Sequence, residues 1–230
     1  MQIVPAILTD DIKDFEKKLA EASEFSDMVH IDVMDGVFVM SSSIKLSDIV
    51  EVVSRPDIDT RIDIRSRYIV HLMVQEPAKE LQNILAIRPE YTIIHLEADG
   101  VIPVLRAIKN AGLKVGLAIN PETGVEKIRE LIEIPSLPID LVLILSVNPG
   151  YYGSQFIPET LGKIEQIRAI NDKIKVGIDG GVDLSSIREI AEAKPDYVMS
   201  GSYIFERGGT SRAKYEELVK HCAECNRNNQ

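Results

Sequence analysis

The chain has 230 residues, 45% of them hydrophobic and 27% charged, with a net charge of −10 and an isoelectric point near 5.0. That balance is ordinary for a water-soluble domain able to bury a sizeable core without staples, and it argues against a nucleic-acid backbone as partner. No apolar run approaches the roughly 18–20 residues needed to span a bilayer, and MQIVPAILTDD has neither a basic leader nor a cleavage site, so a cytoplasmic protein with no membrane partner is expected.

Short β-branched runs alternate with longer segments of helical period, the pattern of βα units and a parallel sheet. In chain order the predicted strands are 2–8, 28–34, 69–74, 91–95, 114–119, 141–147, 175–179 and 197–200. The predicted helices are 12–23, 46–53, 78–86, 101–110, 125–132, 159–170, 185–191 and 211–225. Eight strands each followed by a helix predict a closed (β/α)8 TIM barrel of the α/β class, formed by residues 1–230 as one domain, with a doubly wound sheet as the rival. The segment SRPDIDTRIDIRSR, residues 54–67, interrupts the alternation and reads as a charged surface loop, with a short extra strand or a lid as alternatives.

The second strand carries His30-Ile-Asp32. Residues two apart on a strand share a face, so imidazole and carboxylate point inward together while Ile31 packs outward. On the third strand His71 and Met73 share a face by the same rule. Asp179 ends the seventh strand directly before Gly180 and Gly181. Barrel enzymes place their chemistry at the C-terminal ends of the strands, so two histidines and two aspartates converge on one mouth. That donor set suits one divalent ion: Zn2+, Fe2+, Mn2+ or Co2+. The bland alternative is a buried hydrogen-bond network.

Other polar groups are less telling. His95 ends the fourth strand beside Glu97 and reads as structural. Cys222 and Cys225, flanked by His221, read as incidental thiols on the last helix, because a zinc site needs four ligands. Glycine-bearing turns follow three adjacent strands: Gly150-Tyr151-Tyr152-Gly153 after the sixth, Gly180-Gly181 after the seventh, and Gly201-Ser202 after the eighth. Backbone N–H groups there can hold a phosphate.

With those residues placed, the chain resembles the ribulose-phosphate 3-epimerase family. The motifs are His30-Ile-Asp-Val-Met-Asp-Gly36-Val-Phe38-Val, His71-Leu-Met-Val74, Gly116-Leu-Ala-Ile-Asn-Pro121, Ser146-Val-Asn-Pro-Gly150, Phe156-Ile-Pro158, Asp179-Gly-Gly-Val182 and Gly201-Ser-Tyr-Ile-Phe205. The resemblance implies that His30, Asp32, His71 and Asp179 hold one metal ion. It also implies that Asp32 and Asp179 exchange protons with opposite faces of a ketose phosphate's C3, and that Met34 and Met73 pack on the planar intermediate.

The expected substrate pair is D-ribulose 5-phosphate and D-xylulose 5-phosphate. A related ketose phosphate such as D-allulose 6-phosphate and a non-catalytic sugar-phosphate binder are the alternatives. His71 and the glycine turns are expected to meet the substrate, and a homo-oligomer is expected. The pattern departs from the family at Ala6, where a serine is usual, at Met40-Ser41, Leu145 and Tyr152, and in the longer span between His30 and His71.

Overall fold

The β-branched runs become strands because their side chains are buried on both faces, which only a parallel sheet covered by helices provides. The computed structural model describes residues 1–55, 68–134, 137, 139–149 and 155–227. Its strands are β1 Gln2–Ile7, β2 Val29–Met34, β3 Tyr68–Met73, β4 Tyr91–His95, β5 Lys114–Ile119, β6 Leu141–Leu145, β7 Lys175–Asp179 and β8 Tyr197–Ser200. Each pairs in parallel with the next, and β8 returns to β1, so the sheet closes into an eight-stranded barrel. The rival doubly wound sheet is thereby excluded.

The helices are α1 Ile12–Ser23, α2 Leu46–Val53, α3 Leu81–Ile87, α4 Val101–Asn110, α5 Glu126–Ile132, α6 Gly162–Ile170, α7 Ile187–Ala193, α8 Ser202–Phe205 and α9 Ser211–Arg227. The first shows how they form. Asp11 caps α1, its carboxylate accepting the amides of Lys13 at 2.7 Å and Asp14 at 3.0 Å. Such a cap is worth about 1 kcal/mol. Phe15, Leu19 and Ala22, spaced at helical intervals, are buried against the sheet.

Local chemistry shifts several boundaries from the predicted ones. Pro77 and Pro158 each open a 3-10 turn, Pro77–Glu80 and Pro158–Leu161, so the α-helices predicted at 78 and 159 begin at Leu81 and Gly162. Proline suits such a first turn because it has no N–H to leave unpaired. The helix predicted at 185–191 runs instead over Ile187–Ala193. Asp183 delays its start by accepting the Ser185 amide at 2.8 Å, and Lys194 ends it with φ 55°. The sixth strand stops at Leu145 rather than 147, where the Ser146 hydroxyl turns to the carbonyls of Asp179 and Gly180. The short α8 was not foreseen. Of the 54–67 segment, residues 56–67 lie outside the described residues, so neither the loop nor its alternatives are addressed.

Alternation sorts the core into two layers. Ile31, Val33, Val70, Leu72, Ile94, Leu117, Ile144 and Ile178 face outward and join the helices in the larger apolar cluster. Val4, Ala6, Ile69, Ile93, Leu141, Leu143 and Met199 fill the barrel's interior. Full burial of each large aliphatic side chain contributes roughly 1.5–3 kcal/mol. The interior apolar packing gives way to polar side chains towards the C-terminal ends of the strands, the end at which barrel enzymes place their sites.

Candidate active site

Strand register brings the first three polar groups together. Asp32 lies opposite His71 in the β2–β3 ladder, and His30 sits two residues back on the same face. Asp179 arrives from β7, three strand positions away around the closed ring. One ligand atom from each of His30, Asp32, His71 and Asp179 falls within 4.8 Å of all the others. His30 Nε2 stands 2.9 Å from Asp32 Oδ1 and 3.5 Å from Asp179 Oδ2. His71 Nδ1 stands 2.8 Å and 3.6 Å from the same two oxygens. Both imidazoles are fully buried and Asp32 nearly so.

Two buried carboxylates demand positive charge beside them. With protons as the sole source, both histidines must carry them. Burial would lower the His30 pKa, but the Asp32 charge and the contacts to Asp179 and Asp32 push it up to about 10. Burial opposes the charge on His71 too, yet contacts with Asp179 and Asp32 raise it. Burial would likewise raise Asp179, and the two imidazoles hold it below the usual carboxylate range. A divalent cation meets the same need with neutral imidazoles. Ligand atoms around a tetrahedral ion lie roughly 3.4 Å apart, within the spread of this cluster. The two-nitrogen, two-oxygen donor set therefore fits a divalent ion.

The carboxylates are held by their own backbones. Ser43 Oγ donates to the Asp32 carbonyl at 3.2 Å and accepts the Met34 amide at 2.9 Å, clasping the end of β2. The Ser146 amide donates to the Asp179 carbonyl at 2.7 Å, and its hydroxyl spans the Asp179 and Gly180 carbonyls. Asp35 fastens the loop after β2, accepting the amides of Val37, Phe38 and Gln75. Met34 and Met73 are buried with Val39 in a small apolar cluster, with Leu8 and Phe38 packed against it.

Around the turns expected to hold a phosphate, Gly181 and Ser202 line a cavity of about 350 Å³ after β7 and β8. Gly180 and Gly201 adjoin these residues in the chain but do not line it. Gly180 has φ 105° and Gly181 φ 65°. A Cβ on Gly181 would sit 2.7 Å from the Phe156 backbone, so that turn admits no side chain. Gly150, Tyr151, Tyr152 and Gly153, predicted to take part, lie outside the described residues.

The cavity also presents Ser185 and Arg207, which sequence reasoning missed. Arg207 ion-pairs with Asp183 at 3.3 Å. The one available signal was its position five residues beyond Ser202. The fourth strand's contribution was underestimated as well. His95, read as structural, has its Nε2 3.0 Å from His71 Nε2, and its Nδ1 3.1 Å from Glu97. Cys222 is buried and Cys225 half-buried, and no disulfide joins them.

Residues 2–205 match the Ribulose-phosphate 3 epimerase family. A ribulose-phosphate 3-epimerase of Helicobacter pylori is 33% identical over 213 residues, covering 90% of this chain and 91% of that one. The Bacillus subtilis protein of the same name is 30% identical over 226 residues, covering 93% and 96%. Among solved structures, 3-hexulose-6-phosphate synthase from Salmonella typhimurium superposes with a TM-score of 0.68 at 15% identity, covering 98% of this chain and all of that one. That last likeness speaks for the fold alone.

Proposed function

The chain belongs to the ribulose-phosphate 3-epimerase family, an isomerase family acting on carbohydrates, and from that premise we propose a divalent-metal-dependent 3-epimerase interconverting D-ribulose 5-phosphate and D-xylulose 5-phosphate. The observation that carries the proposal is the pairing of two carboxylates, Asp32 and Asp179, from distant strands beside two buried imidazoles.

Inverting a stereocentre by proton transfer needs a base on one face of the carbon and an acid on the other. Asp32 takes the C3 proton, and the C–H electron pair moves into the C2–C3 bond while the carbonyl electrons move onto oxygen, forming an enediolate. Asp179, which enters this direction carrying a proton, then gives it to the opposite face of C3 and the carbonyl re-forms, leaving Asp32 protonated and Asp179 ionised. In the reverse direction the two exchange roles. Positioned acids and bases of this kind contribute typically 10²–10⁴-fold each in rate. His30, Asp32, His71 and Asp179 would hold the ion. When bound, it supplies Lewis acidity that polarises the C2 carbonyl, worth several kcal/mol.

Met34 and Met73 offer soft apolar surface beside the planar intermediate. Gly181, Gly201 and Ser202, with Gly180 shaping the turn, would anchor the phosphate, and Arg207 would add charge at the rim of the cavity.

A related ketose phosphate such as D-allulose 6-phosphate is the second reading. It is favoured by Ala6, which pairs in register with His30 and brings a methyl where the family resemblance leads one to expect a hydroxyl. The test is incubation of the metal-loaded protein in D2O with both pentulose phosphates and D-allulose 6-phosphate. Exchange and inversion at C3, fastest with the pentulose phosphates, is the expected result. Faster turnover of the hexulose phosphate would favour the second reading, and no exchange with any would sink both.

A further inference from the structure

The chain of hydrogen bonds behind His71 runs from strand β3 across β4 to the loop after β5. The Asn120 backbone amide donates to Glu97 Oε1 at 3.0 Å, and the Thr123 hydroxyl donates to the same oxygen. The other carboxylate oxygen, Oε2, faces His95 Nδ1 at 3.1 Å. His95 Nε2 faces His71 Nε2 at 3.0 Å. The ring planes are 26° from parallel and the centroids 5.0 Å apart, well beyond the 3.0 Å nitrogen separation, so the rings meet through their nitrogen edges as a ring-to-ring hydrogen bond requires. His71 Nδ1, at the far end, points at Asp32 and Asp179.

The direction of every hydrogen in this chain follows from its outer end. A backbone amide can only donate, and a carboxylate can only accept. Glu97 therefore takes a hydrogen from His95 Nδ1, leaving His95 Nε2 with a lone pair. That lone pair must accept from His71 Nε2, which leaves the lone pair of His71 on Nδ1, facing the two aspartates. A metal can use only that nitrogen.

We propose that Glu97 and His95 are positioning residues that hold His71 in the tautomer presenting Nδ1 to a divalent ion. The inference rests on the metal-dependent reading above and deepens it. Residues behind a metal ligand commonly fix its tautomer and ring orientation, and their loss lowers metal affinity 10–100-fold. Here the device serves one ligand of the pair, since His30 Nδ1, also buried, has no hydrogen-bond partner among the described residues. Neither Glu97 nor His95 touches the substrate in this scheme.

Glu97→Gln tests it with almost no change of shape. The amide oxygen of glutamine must stay with the Asn120 N–H, because an NH2 there would set donor against donor. The NH2 then faces His95 Nδ1 and reverses the chain: His95 donates from Nε2, and His71 is left with its hydrogen on Nδ1. Zinc affinity, measured by chelator competition, should fall about 10–100-fold relative to the parent protein.

With four histidines in the chain, long-range nitrogen–proton correlation spectra can report each tautomer. The zinc-loaded parent protein should show His71 protonated on Nε2 and His95 on Nδ1. This second measurement stands even where Glu97→Gln fails to fold. Unchanged zinc affinity in a folded Glu97→Gln protein, or His95 protonated on Nε2 in the parent, overturns the inference and leaves the metal reading intact. Failure of the parent itself to bind zinc, iron, manganese or cobalt removes that reading, and this inference with it.

Discussion

Asp32 and Asp179 share two imidazoles, yet they come from strands three positions apart, and this difference in approach is what the proposed chemistry uses. Losing one carboxylate removes delivery to one face of C3 while the other can still lift a proton and return it. A metal-replete Asp179→Asn protein is expected to exchange C3 deuterium from D2O into one epimer without inverting it, and Asp32→Asn should prefer the other epimer. Mass and NMR analysis of recovered sugar, with metal content measured in parallel, checks this. Rapid epimerisation by either variant would refute the two-carboxylate scheme.

Glu97 offers a second test on stability rather than turnover. Burial would raise its carboxyl, but hydrogen bonds from His95, Thr123 and the Asn120 amide outweigh that and lower it from 4.5 to about 2. A depressed carboxylate stabilises the fold fully above its unfolded value and loses that contribution as pH falls through the folded one. Melting temperatures of the parent and Glu97→Gln proteins should therefore differ most above pH 4.5 and converge as pH falls towards 2. A difference that stays constant over that window would show that the carboxylate charge is not involved.

At the scale of elements, the strand ends are where local chemistry and function meet. Each proposed catalytic aspartate sits at a strand end whose backbone is clasped by a serine, Ser43 for β2 and Ser146 for β7. The turn that follows β7 depends on Gly181. Replacing it with alanine imposes left-handed backbone on a residue with a Cβ, costing about 1–2 kcal/mol. Overlap with the Phe156 backbone adds about 1–3 kcal/mol. Gly181→Ala should lower the denaturation midpoint accordingly and weaken inhibition by inorganic phosphate. A variant of unchanged stability would show that the turn relaxes freely. Element type was legible from period alone, because strands buried on both faces and helices with one apolar stripe leave different patterns. Boundaries were not: Pro77, Pro158 and Asp183 each reset a helix start through turn geometry that hydrophobic period does not register.

For the whole molecule, barrel closure is itself the act that assembles the site, since β2, β3 and β7 meet only when β8 pairs with β1. An ion bound there would stabilise the closed barrel by mass action. At a free metal concentration about 100 times its dissociation constant the gain is about 2.7 kcal/mol. For a chain of this length that is a rise in melting temperature of roughly 5–11 °C. His71→Ala should abolish most of the rise and the near-stoichiometric metal expected on elemental analysis of the parent. An equal rise in both proteins would place the ion elsewhere.

Sequence by itself determined the strand and helix alternation and the inward face shared by His30 and Asp32 and by His71 and Met73, whereas closure of the sheet in place of a doubly wound one was settled by the β8–β1 pairing. The alternation and the shared faces follow from periodicity, which is local and additive along the chain. Only the tertiary structure decided that His95 and Glu97 stand behind His71, and that Arg207 lines the same cavity as Gly181. His95 and His71 are 24 residues apart, and whether their rings meet edge to edge depends on the register and twist of neighbouring strands. Arg207 reaches its cavity through a short helix that no apolar period announces. Contacts of this kind are set by the closure of the sheet, and closure is a property of all eight strands at once.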